Sequence, residues 1–270
     1  MATEQGEDEV ARGGVGISGA QVERLHRFAR KFRRNTKAMF GLTIVVGLVL
    51  VAILAPFIAP YSYSETNIQE RTQAPSLAHP FGTDDLGRDI FSRVVMGSRI
   101  SLKVGFGAIS AALAVGAVIG VVAGYAGGLT DEFLMRLMDA AMAFPPVLLA
   151  LTLLVVLGPE LNNVIIALAF VYTPFIARVS RGAALAERNE AYVEAAVARG
   201  ESSPRIVFSE VFPNCTAPML VQGSLNVSFA ILAEASLSFL GLGAQPPNPS
   251  WGLMINTGRG FMETAPWMLL

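Results

Sequence analysis

Few residues in this sequence could do chemistry, and they are scattered. The 270 residues include two histidines and one cysteine. His26 and His79 stand alone and read as solvated side chains. Cys215 lies in an apolar run and reads as a small buried hydrophobe. No zinc-type spacing, H-E-x-x-H or Ser/His/Asp set is present, so neither a catalytic nor a metal site is expected. The three lysines, Lys31, Lys37 and Lys103, follow no phosphate-binding glycine loop, so the chain carries no P-loop for ATP. The stretch "GVGISG" at 14–19 fits G-x-G-x-x-G, but no strand precedes it and no βαβ unit follows, so it carries no dinucleotide reading. A net charge of −1 argues against nucleic acid.

Charges beside the apolar runs are the remaining chemistry. Arg136 and Asp139 are spaced i,i+3 and are expected to pair on one helix face. Glu234 closes an apolar run and reads either as an interfacial charge or as a group lining a pathway. With Ser236 and Phe239 it makes a candidate pathway or gate. A proton- or sodium-driven carrier usually holds ionisable groups near mid-membrane, and their scarcity speaks against one.

The elements that position these residues are apolar helices. The sequence is 53% hydrophobic and 15% charged, whereas soluble domains run near a quarter charged. No Asp, Glu, Lys or Arg occurs in 38–64, 104–130, 140–159, 161–177, 211–233 or 235–258. A bilayer core of about 30 Å takes about 20 apolar residues as a helix. Five spans are therefore expected, at 39–60, about 103–125, 138–157, about 162–178 and 214–233. The sixth run contains "GLGAQPPNPSWG", whose glycines and prolines break a helix, and reads as a re-entrant or surface segment. The first apolar run starts near residue 38, behind a long polar lead, and is too long for a signal-peptide core.

Residues 1–20 are rich in Gly and Glu and read as disordered. The basic stretch "ERLHRFARKFRRNTK" at 23–37 puts Leu25, Phe28, Ala29 and Phe32 on one helical face, as an interfacial helix beside anionic lipid would. That places the N-terminus in the cytoplasm. Fourteen of the 20 Lys and Arg then fall in cytoplasmic parts, with Arg178 at a span edge included. Within the second span Gly116, Gly120, Gly124 and Gly128 share one face and invite a close helix, either in this chain or in a second subunit. Pro145-Pro146 and Pro174 are expected to kink or break the third and fourth spans.

One charged island interrupts the spans: "RNEAYVEAAVARGESSPRIVFSEVFPN" at 188–214. Residues 190–199 are good helix formers, Gly200 marks a left-handed stop, and Ser203-Pro204 supplies an N-cap and a proline for a restart. The pattern predicts a compact cytoplasmic knob, alanine-rich on its surface and small enough for a groove on another protein.

Here the sequence resembles a known family. Glu194-Ala195-Ala196, then Gly200, then Pro213 is similar to the EAA loop of ABC importer permeases. "HPFGTDDLGRDIFSRVVMGSRISL" (79–102), "YAGGLTDEFLMRLMDAAMAFPPVLLAL" (125–151) and "LAEASLSFLGLGAQPPNPSWG" (232–252) resemble the C-type permease subunit of dipeptide/oligopeptide and nickel importers. The resemblance covers roughly 25–270. Glu210 stands where the family's loop is commonly apolar.

The resemblance implies an all-α polytopic membrane protein with the type I ABC importer (MetI-like) transmembrane fold, five spans visible of an expected six. It implies a cytoplasmic tail at 1–37 and a permease domain at 38–270, with an external loop at 61–102 and a coupling loop at 179–213. Glu194, Ala195, Ala196, Arg199, Gly200 and Ser202 would meet the ATPase. Asp84, Gly87, Arg88 and Asp89 would lie externally, near a second permease subunit or a binding protein. The implied function is ATP-driven import of dipeptides or oligopeptides, or of nickel or another small solute, across a bacterial or archaeal cytoplasmic membrane. The chain would be no enzyme and bind no cofactor, with ATP and Mg held by two partner ATP-binding subunits. An ATP-independent carrier and a membrane-embedded enzyme are the competing classes, the latter without a catalytic constellation.

Overall fold

The computed structural model describes residues 30–269. The expectations for 1–20, for "GVGISG", for His26 and for Leu25, Phe28 and Ala29 of the basic helix lie outside the described residues. The chain divides into two compact units, 1–50 and 51–270, and the division falls inside the first long helix. In the first unit residues 30–33 are helical. The Asn35 side chain then accepts from the Ala38 amide at 3.2 Å and starts α1, Thr36–Ile58.

The second unit holds the rest. Helix α2, Ile90–Ala126, begins far earlier than the expected 103 because Asp89 caps it, accepting from the Ser92 amide at 2.7 Å. Its 37 residues span about 55 Å at 1.5 Å per residue, so it projects well beyond a bilayer core. A positive φ of 65° at Gly127 ends it. Next come α3, Gly128–Met142, and α4, Pro146–Leu157, bent by 89° from one another. The Pro145-Pro146 pair causes the break, since proline starts a helix readily but cannot continue one. The expected single span at 138–157 is therefore a broken pair.

Helix α5, Leu161–Glu187, runs unbroken through Pro174. Of the expected kink or break at Pro174, the helix shows no break. A transmembrane helix tolerates proline where neighbouring helices cover the freed carbonyl, and Pro174 is buried in the protein. Helix α6, Ala191–Ala198, is followed by a short helical turn, Ser203–Arg205, a π-helical stretch, Ile206–Val211, and a further turn, Phe212–Asn214. These lead into α7, Thr216–Phe239. After an irregular stretch with three prolines comes α8, Trp251–Arg259.

By length and composition four helices, α1, α2, α5 and α7, can cross a membrane, or five spans if the bent α3–α4 pair is one. The core mixes small apolar side chains, such as Ala108 and Ala112 of α2, Ala150 of α4, Ala167 of α5 and Ala230 of α7, with larger ones such as Ile109 of α2, Leu154 of α4, Leu168 and Ile176 of α5 and Leu237 of α7. In a bilayer the lipid is as apolar as leucine, so close packing rather than area removed from water holds such helices together. The glycine face shows this directly. A methyl group at Gly116, Gly120 or Gly124 would collide with the carbonyl of Thr173, Ala177 or Arg181 on α5. These glycines pack within the chain, while Gly128 lies beyond the Gly127 turn and meets nothing.

Candidate functional site

The charged island folds as a knob with an anchored face and a bare face. Anchoring comes from Val193 and Ala196 of α6, which are buried with Ile206, Val207 and Val211 of the following stretch and with Ala117 and Val121 of α2. Tyr192 strengthens the anchor. Its hydroxyl donates to Glu187 at 2.6 Å and accepts from Asn214 at 3.2 Å. Burial, aided by the Glu187 carboxylate, pushes the phenol up to about 12, so it remains a donor. Glu210 uses its backbone carbonyl to accept from Asn214 at 2.8 Å.

Gly200 closes the knob. Its φ is 76°, its amide donates to the Val197 carbonyl at 2.9 Å, and the Glu201 amide donates to the Ala196 carbonyl at 3.2 Å. This pair of reversed bonds is a Schellman closure, the arrangement for which a glycine is favoured. The restart comes one residue earlier than expected, with Ser202 as N-cap rather than Ser203.

The structure brings Glu194, Ala195, Arg199, Gly200 and Ser202 together on the exposed side, and it turns Ala196 inward, fully buried. Arg199 is held by Glu201 at 2.7 Å. Between α6 and the end of α2 lies an open recess of about 580 Å³, lined among others by Tyr125, Arg188, Glu194 and Val197.

Asp84, Gly87, Arg88 and Asp89 also meet, in a second place. The Asp84 carboxylate accepts from the Leu86 and Arg88 amides, each at 2.9 Å, and from the Arg88 guanidinium at 2.6 Å. It also faces buried Arg93 at 3.6 Å. Gly87 has φ 73° and packs on the Asn67 carbonyl, where any side chain would overlap. Asp89 caps α2 with one oxygen and bonds the His79 ring at 2.9 Å with the other. His79 is thus not a solvated side chain. It is buried between Asp89, Glu70 at 3.6 Å and the Tyr61 ring.

The third place is the end of α7. Glu234 is fully buried within the chain. Three hydroxyls donate to it: Ser238 at 2.7 Å, Ser250 at 3.0 Å and Ser101 at 3.3 Å. Ser236 and Phe239 are half-buried on another face of the helix, in a recess of about 340 Å³ with Leu240, Gly252 and Ile255.

Arg136 and Asp139 do not pair. Arg136 binds Glu132 at 2.7 Å, and Asp139 binds Arg178 of α5 at 2.5 Å. Sequence reasoning also missed the forked pair of Arg181 with Asp131, at 2.5 and 2.6 Å, which ties α3 to α5. Their separation by 50 positions leaves no local signal. The three serines around Glu234 were missed likewise, although an acid within an apolar helix is itself a prompt to look for hydroxyl partners.

Comparison with known proteins agrees with this architecture. Among solved structures, a methionine ABC transporter, MetNI, in an inward-facing conformation superposes with a TM-score of 0.55 at 18% identity, over 65% of this chain and 84% of that one. The fold is that of a type I ABC importer transmembrane domain. Residues 116–269 match the family described as binding-protein-dependent transport system inner membrane component, and residues 24–75 match the N-terminal transmembrane domain of oligopeptide transport permease C. Relatives include a dipeptide transport system permease protein of Alkalihalophilus pseudofirmus, 45% identical over 89% of this chain and 79% of that protein. An oligopeptide transport system permease protein of Bacillus subtilis is 42% identical over 88% of this chain and 78% of its own. A glutathione transport system permease protein of Escherichia coli is 42% identical over 89% and 80%. The chain belongs to the family of inner membrane permease components of binding-protein-dependent ABC importers.

Proposed function

We propose that this chain is the permease subunit of an ATP-driven peptide importer in a bacterial cytoplasmic membrane, with the α6 knob as its coupling element. The observation that carries the coupling role is the knob's two-sidedness. One face is locked into the chain's own core, and the other presents Glu194, Ala195, Val197 and Ala198 bare. Alanines allow close approach, and the rigid mount transmits force to α5 and α7. The peptide assignment follows the relatives' transport of dipeptides, oligopeptides and glutathione.

In this reading residues 1–37 and 179–213 face the cytoplasm, residues 61–102 face outward, and 38–270 form the permease domain. The working unit includes a second homologous permease, two subunits that bind ATP with Mg, and an external binding protein. ATP-driven closure of the ATPase pair moves the knobs and rocks the permeases between inward- and outward-open arrangements. The test is the complete complex in proteoliposomes carrying Ala195→Trp, a substitution at an exposed position. The expected result is ATPase subunits that detach or hydrolyse ATP without uptake. Uptake coupled as in the wild type overturns the coupling role.

A further inference from the structure

The recess at the end of α7 combines an apolar wall with one charge. Its lining residues, Ala235, Ser236, Phe239, Leu240, Gly252 and Ile255, are all uncharged. Beside it Arg259, exposed in the last turn of α8, lies over the Phe239 ring with 5.5 Å from guanidinium carbon to centroid. Arg259 makes no hydrogen bond or ion pair with a described residue. An aromatic face orients a guanidinium by its quadrupole and leaves the N–H edge free for a carboxylate.

Two features fix the geometry. A Cβ at Gly252 would collide with the Ala235 carbonyl, so α8 sits directly on α7. Ser250, one residue before α8, donates to buried Glu234. The carboxylate of Glu234 is engaged by serines, so it does not compete for Arg259. Ser236 donates its own proton to the Leu232 carbonyl at 2.9 Å and keeps an oxygen that can accept an N–H.

We propose that this recess is a peptide subsite: Arg259 holds the C-terminal carboxylate, and Phe239, Leu240 and Ile255 receive the adjoining side chain. The match is chemical. A single cation a few ångströms from an uncharged, apolar hollow complements one carboxylate separated by one carbon from an apolar side chain, which is the last residue of a peptide. Ser236 accepts the N–H of that residue. The inference rests on the importer reading and extends it to a substrate contact.

The test places a photo-cross-linking phenylalanine at Ile255, exposed at the rim, in the complete complex with its binding protein. The probe is radiolabelled alanyl-phenylalanine. Peptide should cross-link to this chain, and Arg259→Gln should reduce the yield by about tenfold, the scale of one charge-assisted contact. Arg259→Lys should retain most of it. Equal yield in Arg259→Gln overturns the subsite, as does cross-linking to lipid, to the binding protein or to the second permease in place of peptide. Uptake of the same peptide by the wild-type complex separates the two claims. Uptake without cross-linking overturns the subsite alone, and absence of uptake overturns the importer reading with it.

Discussion

The loop before α2 and the knob after α5 are both charged interruptions between apolar helices, and they differ in how many of their charges are buried and paired. In the loop, Asp84, Arg88, Arg93, Asp89 and His79 bond one another and the backbone, and all but the half-buried Arg88 are buried. In the knob, Arg199 and Arg205 pair with Glu201 near the surface, while Arg188 and Glu194 are exposed and have no ion-pair partner among the described residues. A loop whose polar groups satisfy each other has spent them on its own shape. A loop that holds its shape by apolar burial and a glycine closure can leave some of its charges available to another molecule. The difference is consistent with the coupling role proposed for the knob.

The largest test of that contrast is Asp84→Ala. It leaves Arg93 buried without its carboxylate, which typically costs about 3–5 kcal/mol. Thermal unfolding of the purified complex should show a large fall in Tm, and an unchanged Tm would remove the loop's scaffold role. Asp89→Ala is next. It deletes the α2 cap and the His79 partner, for a loss of about 1–2 kcal/mol, while Asp89→Asn should recover most of the cap. Gly200→Ala should cost about 1 kcal/mol for its left-handed backbone, because nothing lies within 4 Å of the added methyl. Ala195→Trp should be smallest in stability, within about 0.5 kcal/mol, yet abolish coupled uptake. Uptake that falls with the first two variants only in proportion to lost protein, and with the last two without such loss, would sharpen the distinction.

Local features were the ones the sequence could reveal. The helix, glycine and Ser-Pro of the knob depend on neighbours within four or five residues, and they appear almost where expected. The Pro145-Pro146 break is equally local. Tertiary features were hidden. Arg136 and Asp139 looked like natural partners until Glu132 and Arg178 came nearer. The start of α2 was hidden because Arg93, Arg99 and Lys103 resemble the edge of a span, whereas Arg93 is buried against the loop that precedes it. Pro174 does not break α5, because a helix tolerates proline once neighbours cover its vacant carbonyl. Of the residues in the proposed subsite, Ser236 and Phe239 were legible in the sequence beside Glu234. Arg259 was not, since its meaning depends on α8 folding back onto α7.

The glycine face between α2 and α5 has a mechanical side. Where Gly116, Gly120 and Gly124 meet the opposing carbonyls, α2 puts no side chain of its own into the contact to bend or change rotamer. A joint without a cushion has no backlash. Because α5 runs directly into the segment that carries the knob, a push there should reach α2 undiminished, with the two helices turning as one strut rather than sliding past each other.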